Sequence, residues 1–367
     1  MSKTSKKKIE NPELDSHFEK ELAENGLAGF FRKICDRVDM TVETLTTGLP
    51  RLDKNLHSAK PGCPLSRRVE IYSKDPEVGK TSIALQIGVM WQKLGKLVTI
   101  VDIEDTITEE YLEELGYIMN PTLESGIHPV YLAKGYDPET GETMNGEKIV
   151  NYVGLVSRIC DLVIVDSMAA LAKRVDLERD PSDPAQPGGI GKLMYDHVRK
   201  FTHVRATALW INQALPQIGG YSPQGVRYKT SGGNAMPFFA TIRLELRLVE
   251  KIKGKNDEII GVKIDVYTAK NKISAPYKHV LLSYINGRGF CPIWDVFETA
   301  KQSKIIEKSG SWLSFGNVKL QGDLEFYKLM CEDPDFLETI KTAMAPKEVV
   351  ENDQEEIVNE VPVENAV

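Results

Sequence analysis

The chain has 367 residues, 41% hydrophobic and 27% charged, which suits one large α/β domain with a smaller appendage. No run of about 18 apolar residues offers a membrane span, and Met1–Lys8 lacks the apolar segment of a secretory signal, so no membrane association and a cytoplasmic protein are expected. The net charge of −7 is accounted for by seven acids between Glu348 and Val367, leaving a neutral body that is not barred from a polyanionic partner. The cysteines and histidines show no metal-ligand spacing, which suits a reducing compartment without a zinc site.

Residues 1–39 read as a basic arm followed by a helix. Asn11-Pro12 is a plausible N-cap and first helical position, and Leu14, Phe18 and Leu22 recur at helical spacing until Gly26. This helix precedes the core by some distance and packs on its own domain or on a neighbour's. Residues 40–290 alternate between strands, expected at 68–72, 97–102, 161–166, 206–212, 240–248 and 262–269, and helices, expected at 80–94, 109–115 and 191–201. Continuous apolar strands such as Leu162-Val163-Ile164-Val165 imply burial on both faces and a mostly parallel twisted sheet. Two glycine- and proline-rich stretches, 180–191 and 216–234, follow core strands, where α/β proteins place functional loops. Residues 291–345 read as a small α+β module, and 346–367 as a disordered acidic tail.

The chemistry begins at Asp75-Pro76-Glu77-Val78-Gly79-Lys80-Thr81-Ser82, between an apolar strand and an apolar helical run. In that setting loop amides and a helix N-terminus face phosphates, Lys80 reaches the β and γ oxygens, and the Thr81 hydroxyl ligates Mg²⁺. Lys74 stands where the full pattern opens with glycine. Asp166 ends an apolar strand, a place for a metal-side carboxylate or for a helix cap. Asp102, Glu104 and Asp105 crowd another strand end; Glu104 is chosen as the general base, with its neighbours also in play. Asn212-Gln213 ends a third strand and leads into the 216–234 loop, whose order would follow the nucleotide. That loop carries Arg227, Tyr228, Lys229 and glycines suited to phosphates and stacked bases, or is simply a surface loop. Lys270 and Lys272, two apart on a strand, point the same way and could reach a phosphate of an adjoining subunit.

Taken in order, these pieces resemble the RecA family of bacterial and phage recombinases over roughly residues 40–345. The likeness is carried by Val42–Gly48, Arg68–Tyr72 with the phosphate loop, Asp161–Leu171, Ile211-Asn212-Gln213, Ser231–Ala235, Ala269–Pro276 and Ile306–Trp312. It implies a RecA-like phosphate-loop ATPase core, with ATP and Mg²⁺ as cofactors. Single-stranded DNA, double-stranded DNA and further copies in a helical filament are the implied partners. By the same resemblance Asp166 lies on the metal side, Gln213 senses the γ-phosphate, Tyr111 packs on adenine, and Lys270 with Lys272 completes the neighbour's ATP site. Two loops, about 176–191 and 217–234, match DNA-binding loops. The matching positions include Lys192, Arg199, Gln217, Ile218, Gly219, Arg227, Lys229, Gly232, Gly233 and Asn234. The N-terminal helix matches a segment that docks on the next protomer. Besides Lys74, the chain departs at Thr108, where an adenine-reading aspartate is expected, and at Asn286, where a second adenine-stacking aromatic is expected. A ring-shaped helicase-like motor and a DNA-binding mediator with a degenerate nucleotide site are the alternatives.

Overall fold

The computed structural model describes residues 42–137, 139–171, 189–201, 204–217, 227–254 and 257–344, with Lys20, Glu21, Ala23 and Glu24. Those four are helical, and Lys20 pairs with Glu24 at 3.8 Å, one helical turn on. The rest of the N-terminal helix, most of the first glycine-rich stretch, Ile218, Gly219 and the acidic tail lie outside the described residues. Met1–Glu43 and Thr44–Val367 are separate compact units.

The second unit begins with β1 (Thr44–Leu45), α1 (Pro50–Leu56), β2 (Cys63–Pro64), β3 (Arg68–Ser73), α2 (Lys80–Lys93), β4 (Val98–Asp102) and α3 (Glu109–Leu115). It continues through β5 (Tyr131–Lys134), α4 (Gly146–Val156), β6 (Leu162–Asp166), α5 (Gly189–Lys200), β7 (Thr207–Pro216), β8 (Tyr228–Thr230) and α6 (Ala235–Phe239). Next come β9 (Ile242–Lys253), β10 (Ile259–Asn271), β11 (His279–Ile285) and β12 (Gly289–Phe290). The last elements are α7 (Pro292–Gln302), β13 (Glu307–Ser309), β14 (Trp312–Phe315), β15 (Val318–Gln321), α8 (Asp323–Glu332) and α9 (Pro334–Met344).

The main sheet runs β12-β11-β10-β9-β3-β7-β6-β4-β5, with β8 added to β7. The pairs from β9 through β5 are parallel, and β10, β11 and β12 extend that sheet antiparallel. Period-two alternation divides each central strand between two apolar layers. Leu162 and Ile164 join Ile83, Leu85 and Trp91 of α2 on one face; Val163 and Val165 join Val153 of α4 and Met194 of α5 on the other. Parallel pairing thereby brings the carboxyl ends of β3, β4, β6 and β7 to one rim. The expected strands and helices are present with ends shifted by a few residues. Strand β5 and helix α4 were not anticipated. The latter is announced by Asn145, whose side chain accepts from Lys148 N, and by buried Ile149, Val150 and Val153. A third apolar cluster, including Trp294, Phe297, Phe326 and Met330, holds α7–α9 together with the small β13-β14-β15 sheet.

His197 on α5 is buried against Trp210 and Phe201, with its Nδ1 unpartnered among the described residues. Burial, aided by Arg68, pulls its pKa down to about 4. The unfolded chain therefore takes up the proton first, so this group's contribution is present above about pH 6.5 and lost as pH falls toward 4. Replacement by Phe removes that term. Urea unfolding of wild type and His197→Phe at pH 7 and pH 5 should show the wild type losing about 1–3 kcal/mol more than the variant; equal losses would contradict the assignment.

Candidate functional site

Between β3 and α2 the chain turns through Gly79, whose φ of +78° lies in the left-handed region and which caps the helix. A Cβ there would sit 3.1 Å from the Phe290 ring, so only glycine satisfies both backbone and packing. Lys74, by contrast, is not among the residues with positive φ, and this loop therefore opens without needing glycine at that position. Its ammonium lies over the Tyr228 ring, 5.9 Å from the centroid. A cavity of about 300 Å³ is lined by Glu77, Val78, Gly79, Lys80, Thr81 and Ser82, with Val262 and Tyr284 opposite. Asp75 and Pro76 precede these residues in the loop, and the Asp75 carbonyl accepts from Lys80 Nζ at 3.5 Å. Burial lowers the Lys80 pKa, opposed by the charges of Asp166, Glu104 and Asp75. A half-buried ammonium at the mouth of helix amides is a phosphate-seeking arrangement.

Strands β4 and β6 pair so that Asp102 and Asp166 are direct neighbours at their tips. The Thr81 hydroxyl donates to Asp166 Oδ2 at 2.6 Å. Burial and then the nearby carboxylates Glu104 and Asp102 push the Asp166 pKa up to about 6, against the pull of Thr81 and Lys80. A buried carboxylate and a hydroxyl, crowded by further acids, fit a divalent cation, which would relieve that charge.

The three acids after β4 take different parts. Asp102 is fully buried and accepts from Thr106 N, Ile107 N and Lys134 Nζ, so it shapes the turn. Asp105 pairs with the same lysine at 2.8 Å. Glu104 is exposed, accepts from the Ser167 hydroxyl and lies close enough to influence both Lys80 and Asp166. Lys134, on the unanticipated β5, thus pairs with two of the acids and leaves Glu104 to Ser167.

Behind the cavity lining, the Tyr111 hydroxyl meets Ser82 Oγ at 3.1 Å. Thr108 is the N-cap of α3, accepting from Tyr111 N at 3.2 Å, and so fixes the helix that presents this tyrosine. Asn286 binds the β10 backbone through Ile259 O and Ile260 O. Two residues earlier, Tyr284 lines the cavity instead. Same-face spacing on a strand was the signal that could have found it.

Gln213 is half-buried at the carboxyl half of β7, and its carbonyl accepts from Ser231 N at 3.2 Å. Gln217 N donates to Arg227 O at 2.8 Å and closes the base of the second loop. Lys229 lies on β8, half-buried, beside Arg227 and Tyr228, which are exposed. Gly232 and Gly233 both have positive φ, and Gly233 packs on Gly191 of α5. The ends of the two glycine-rich stretches therefore touch. Lys192 and Arg199 are exposed on α5, and Asn234 is exposed ahead of α6. Lys270 and Lys272 converge on the end of α6: Lys270 Nζ donates to Pro237 O at 2.5 Å and Phe238 O at 2.9 Å, and Lys272 to Phe238 O at 3.0 Å. Burial and the neighbouring Lys272 and Arg243 bring the Lys270 pKa down to about 8.

Comparison with known proteins gives a consistent relationship. The RecA N-terminal domain family matches residues 16–291. Protein RecA of Lactiplantibacillus pentosus is 32% identical over 327 residues, covering 88% of this chain and 81% of that protein. Protein RecA of Xanthomonas campestris pv. campestris is 31% identical, covering 89% and 94%. Protein RecA of Thermus thermophilus is 33% identical, covering 82% and 84%.

Because Asp166 titrates near 6, a proton competes with any cation held there below that pH. Binding of a fluorescent ATP analogue with magnesium should weaken as pH drops toward 6 and below, and Asp166→Asn should bind more weakly with a shallower fall, set by the nucleotide's own terminal phosphate. A wild-type curve flat from pH 7.5 to 5 would contradict the site.

Proposed function

The chain belongs to the RecA family, and on that premise we propose that it is a DNA-dependent ATPase of homologous recombination and DNA repair. It polymerises as a helical filament on single-stranded DNA, pairs that strand with homologous duplex and exchanges the two. The observation that carries this reading is the rim shared by the phosphate loop, Glu104 and the tip of β7, from which the 217–227 connection springs directly.

Lys80 and the amides of the first turn of α2 hold the triphosphate, and Tyr111 and Tyr284 flank the base. Thr81 and Asp166 would hold Mg²⁺, which when bound neutralises phosphate charge. Glu104, oriented by Ser167, takes a proton from the attacking water. Gln213 donates its side-chain amide toward the γ-phosphate, so loss of that group frees the loop stem. Lys270 and Lys272 leave the α6 carbonyls to meet the triphosphate of the next protomer. Lys192, Arg199, Arg227 and Lys229 supply charge toward DNA phosphates, while Gln217, Ile218, Gly219, Gly232, Gly233 and Asn234 form the close-approach surface. Such contacts weaken with salt and carry little sequence preference.

Self-assembly has its own support. Strand β5 is the last strand of the sheet among the described residues, and beside it lies a cavity of about 570 Å³ with an apolar floor including Val101, Leu132, Ala133, Met144 and Ile149 and charged residues Lys134, Asp137, Glu139, Glu142 and Lys148 also in its lining. This is a receptor for an added apolar segment from residues 1–39 of another copy.

Strand exchange between single-stranded DNA and homologous or heterologous duplex tests the proposal as a whole; exchange with neither would overturn it. Glu104→Gln should lower DNA-stimulated turnover at least about a hundredfold with nucleotide affinity retained, whereas Asp105→Asn stays within about threefold. Equal losses would remove Glu104 from the role. Truncation of residues 1–39, or Ala133→Arg in the cavity, should leave nucleotide binding intact and abolish filaments in electron micrographs. Filaments of normal length from either protein would refute the docking surface.

A further inference from the structure

Strand β3 carries a carboxylate where an apolar strand has no need of one. Period two turns Val69 and Ile71 to the α2 layer and Glu70 with Tyr72 to the opposite face. Glu70 is fully buried at a cost of several kcal/mol unless partnered. Its partners come from two neighbouring strands. Arg243, its direct register partner on β9, donates Nε to Oε2 at 2.5 Å. Asn212 on β7 donates Nδ2 to Oε1 at 2.8 Å.

Each partner then reaches the stem of the second loop. Asn212 Nδ2 also donates to Ser231 O at 3.0 Å, and its Oδ1 accepts from Gln213 N at 2.8 Å. Arg243 Nη2 donates to Thr230 Oγ1 at 3.4 Å, and its guanidinium stacks on Tyr72 at 4.6 Å. One carboxylate therefore orients both groups that grip residues 230–231, and one of these also holds the backbone of Gln213. Fold stability alone does not explain the choice, since a buried ion pair is often replaceable by apolar side chains at no loss.

We propose that Glu70 and Arg243 are a positioning pair that locks Asn212-Gln213 of β7, which runs on to Pro216, to residues 230–231, so that a change at Gln213 is delivered to the second loop as a rigid displacement. The pair is absent from the lining of the phosphate-loop cavity and acts through Asn212, Thr230 and Ser231. This inference rests on the reading of Gln213 and the 217–234 loop given above.

The test uses the full chain and compares wild type, Glu70→Gln, and the double variant Glu70→Leu with Arg243→Met. The double variant leaves no buried charge unpaired. Hydrogen exchange at residues 228–234 is read with and without a non-hydrolysable ATP analogue, alongside turnover with and without single-stranded DNA. Expected are nucleotide affinity and DNA-free turnover within about twofold of wild type, loss of the nucleotide-dependent change in exchange, and at least tenfold weaker stimulation by DNA. A double variant that keeps the wild-type exchange difference and stimulation overturns the proposal. Failure of both variants to unfold cooperatively assigns the pair to folding and overturns it as well. A wild type whose exchange at 228–234 ignores nucleotide also refutes it, whereas absent DNA stimulation with that exchange change intact counts against the proposed function alone.

Discussion

The Thr81–Asp166 hydrogen bond joins the start of α2 to the tip of β6, and the surrounding rim is arranged about that carboxylate. A buried acid beside two others is unstable in isolation, and its raised pKa records the strain on its charge. A hydroxyl, an ammonium, an added cation or a proton relieves it. Lys80 and Thr81 are adjacent on one helix turn, so satisfying Asp166 also sets the phosphate-facing groups. The helix in turn depends on Gly79, where a side chain would be strained by the positive φ and crowded by Phe290.

Charge inside the sheet is handled by pairing, strand by strand. Lys134 on the edge strand bridges Asp102 and Asp105, and Arg243 neutralises Glu70. Glu104 instead accepts from the Ser167 hydroxyl and lies within electrostatic reach of Lys80 and Asp166. Sorting the acids this way separates the two that pair with Lys134 from the one that accepts from Ser167. Lys134 and Glu104 therefore belong to one explanation even though they lie on different strands.

Departures from the family pattern also become intelligible. Lys74 occupies backbone that does not require glycine, and its side chain turns toward Tyr228. Thr108 supplies a helix cap through its hydroxyl, as an aspartate there would through its carboxylate. The aromatic missing at Asn286 has a counterpart two residues earlier, on the strand face that meets the cavity.

Much of the core was legible because its signals are local. Apolar strands, the glycine-lysine-threonine triplet and strand-end acids depend on period, turn geometry and burial within a few residues. From them follow the phosphate loop, the order of the central elements and the short list of strand-tip side chains. How Lys134 and Ser167 divide the acids at the end of β4, where Lys270 and Lys272 rest, and how Glu70 grips both β7 and β9 were decided only by tertiary structure. Those outcomes rest on pairings such as Asp102 with Asp166 and Glu70 with Arg243, between residues 64 to 173 positions apart, which strand register sets and no local pattern encodes.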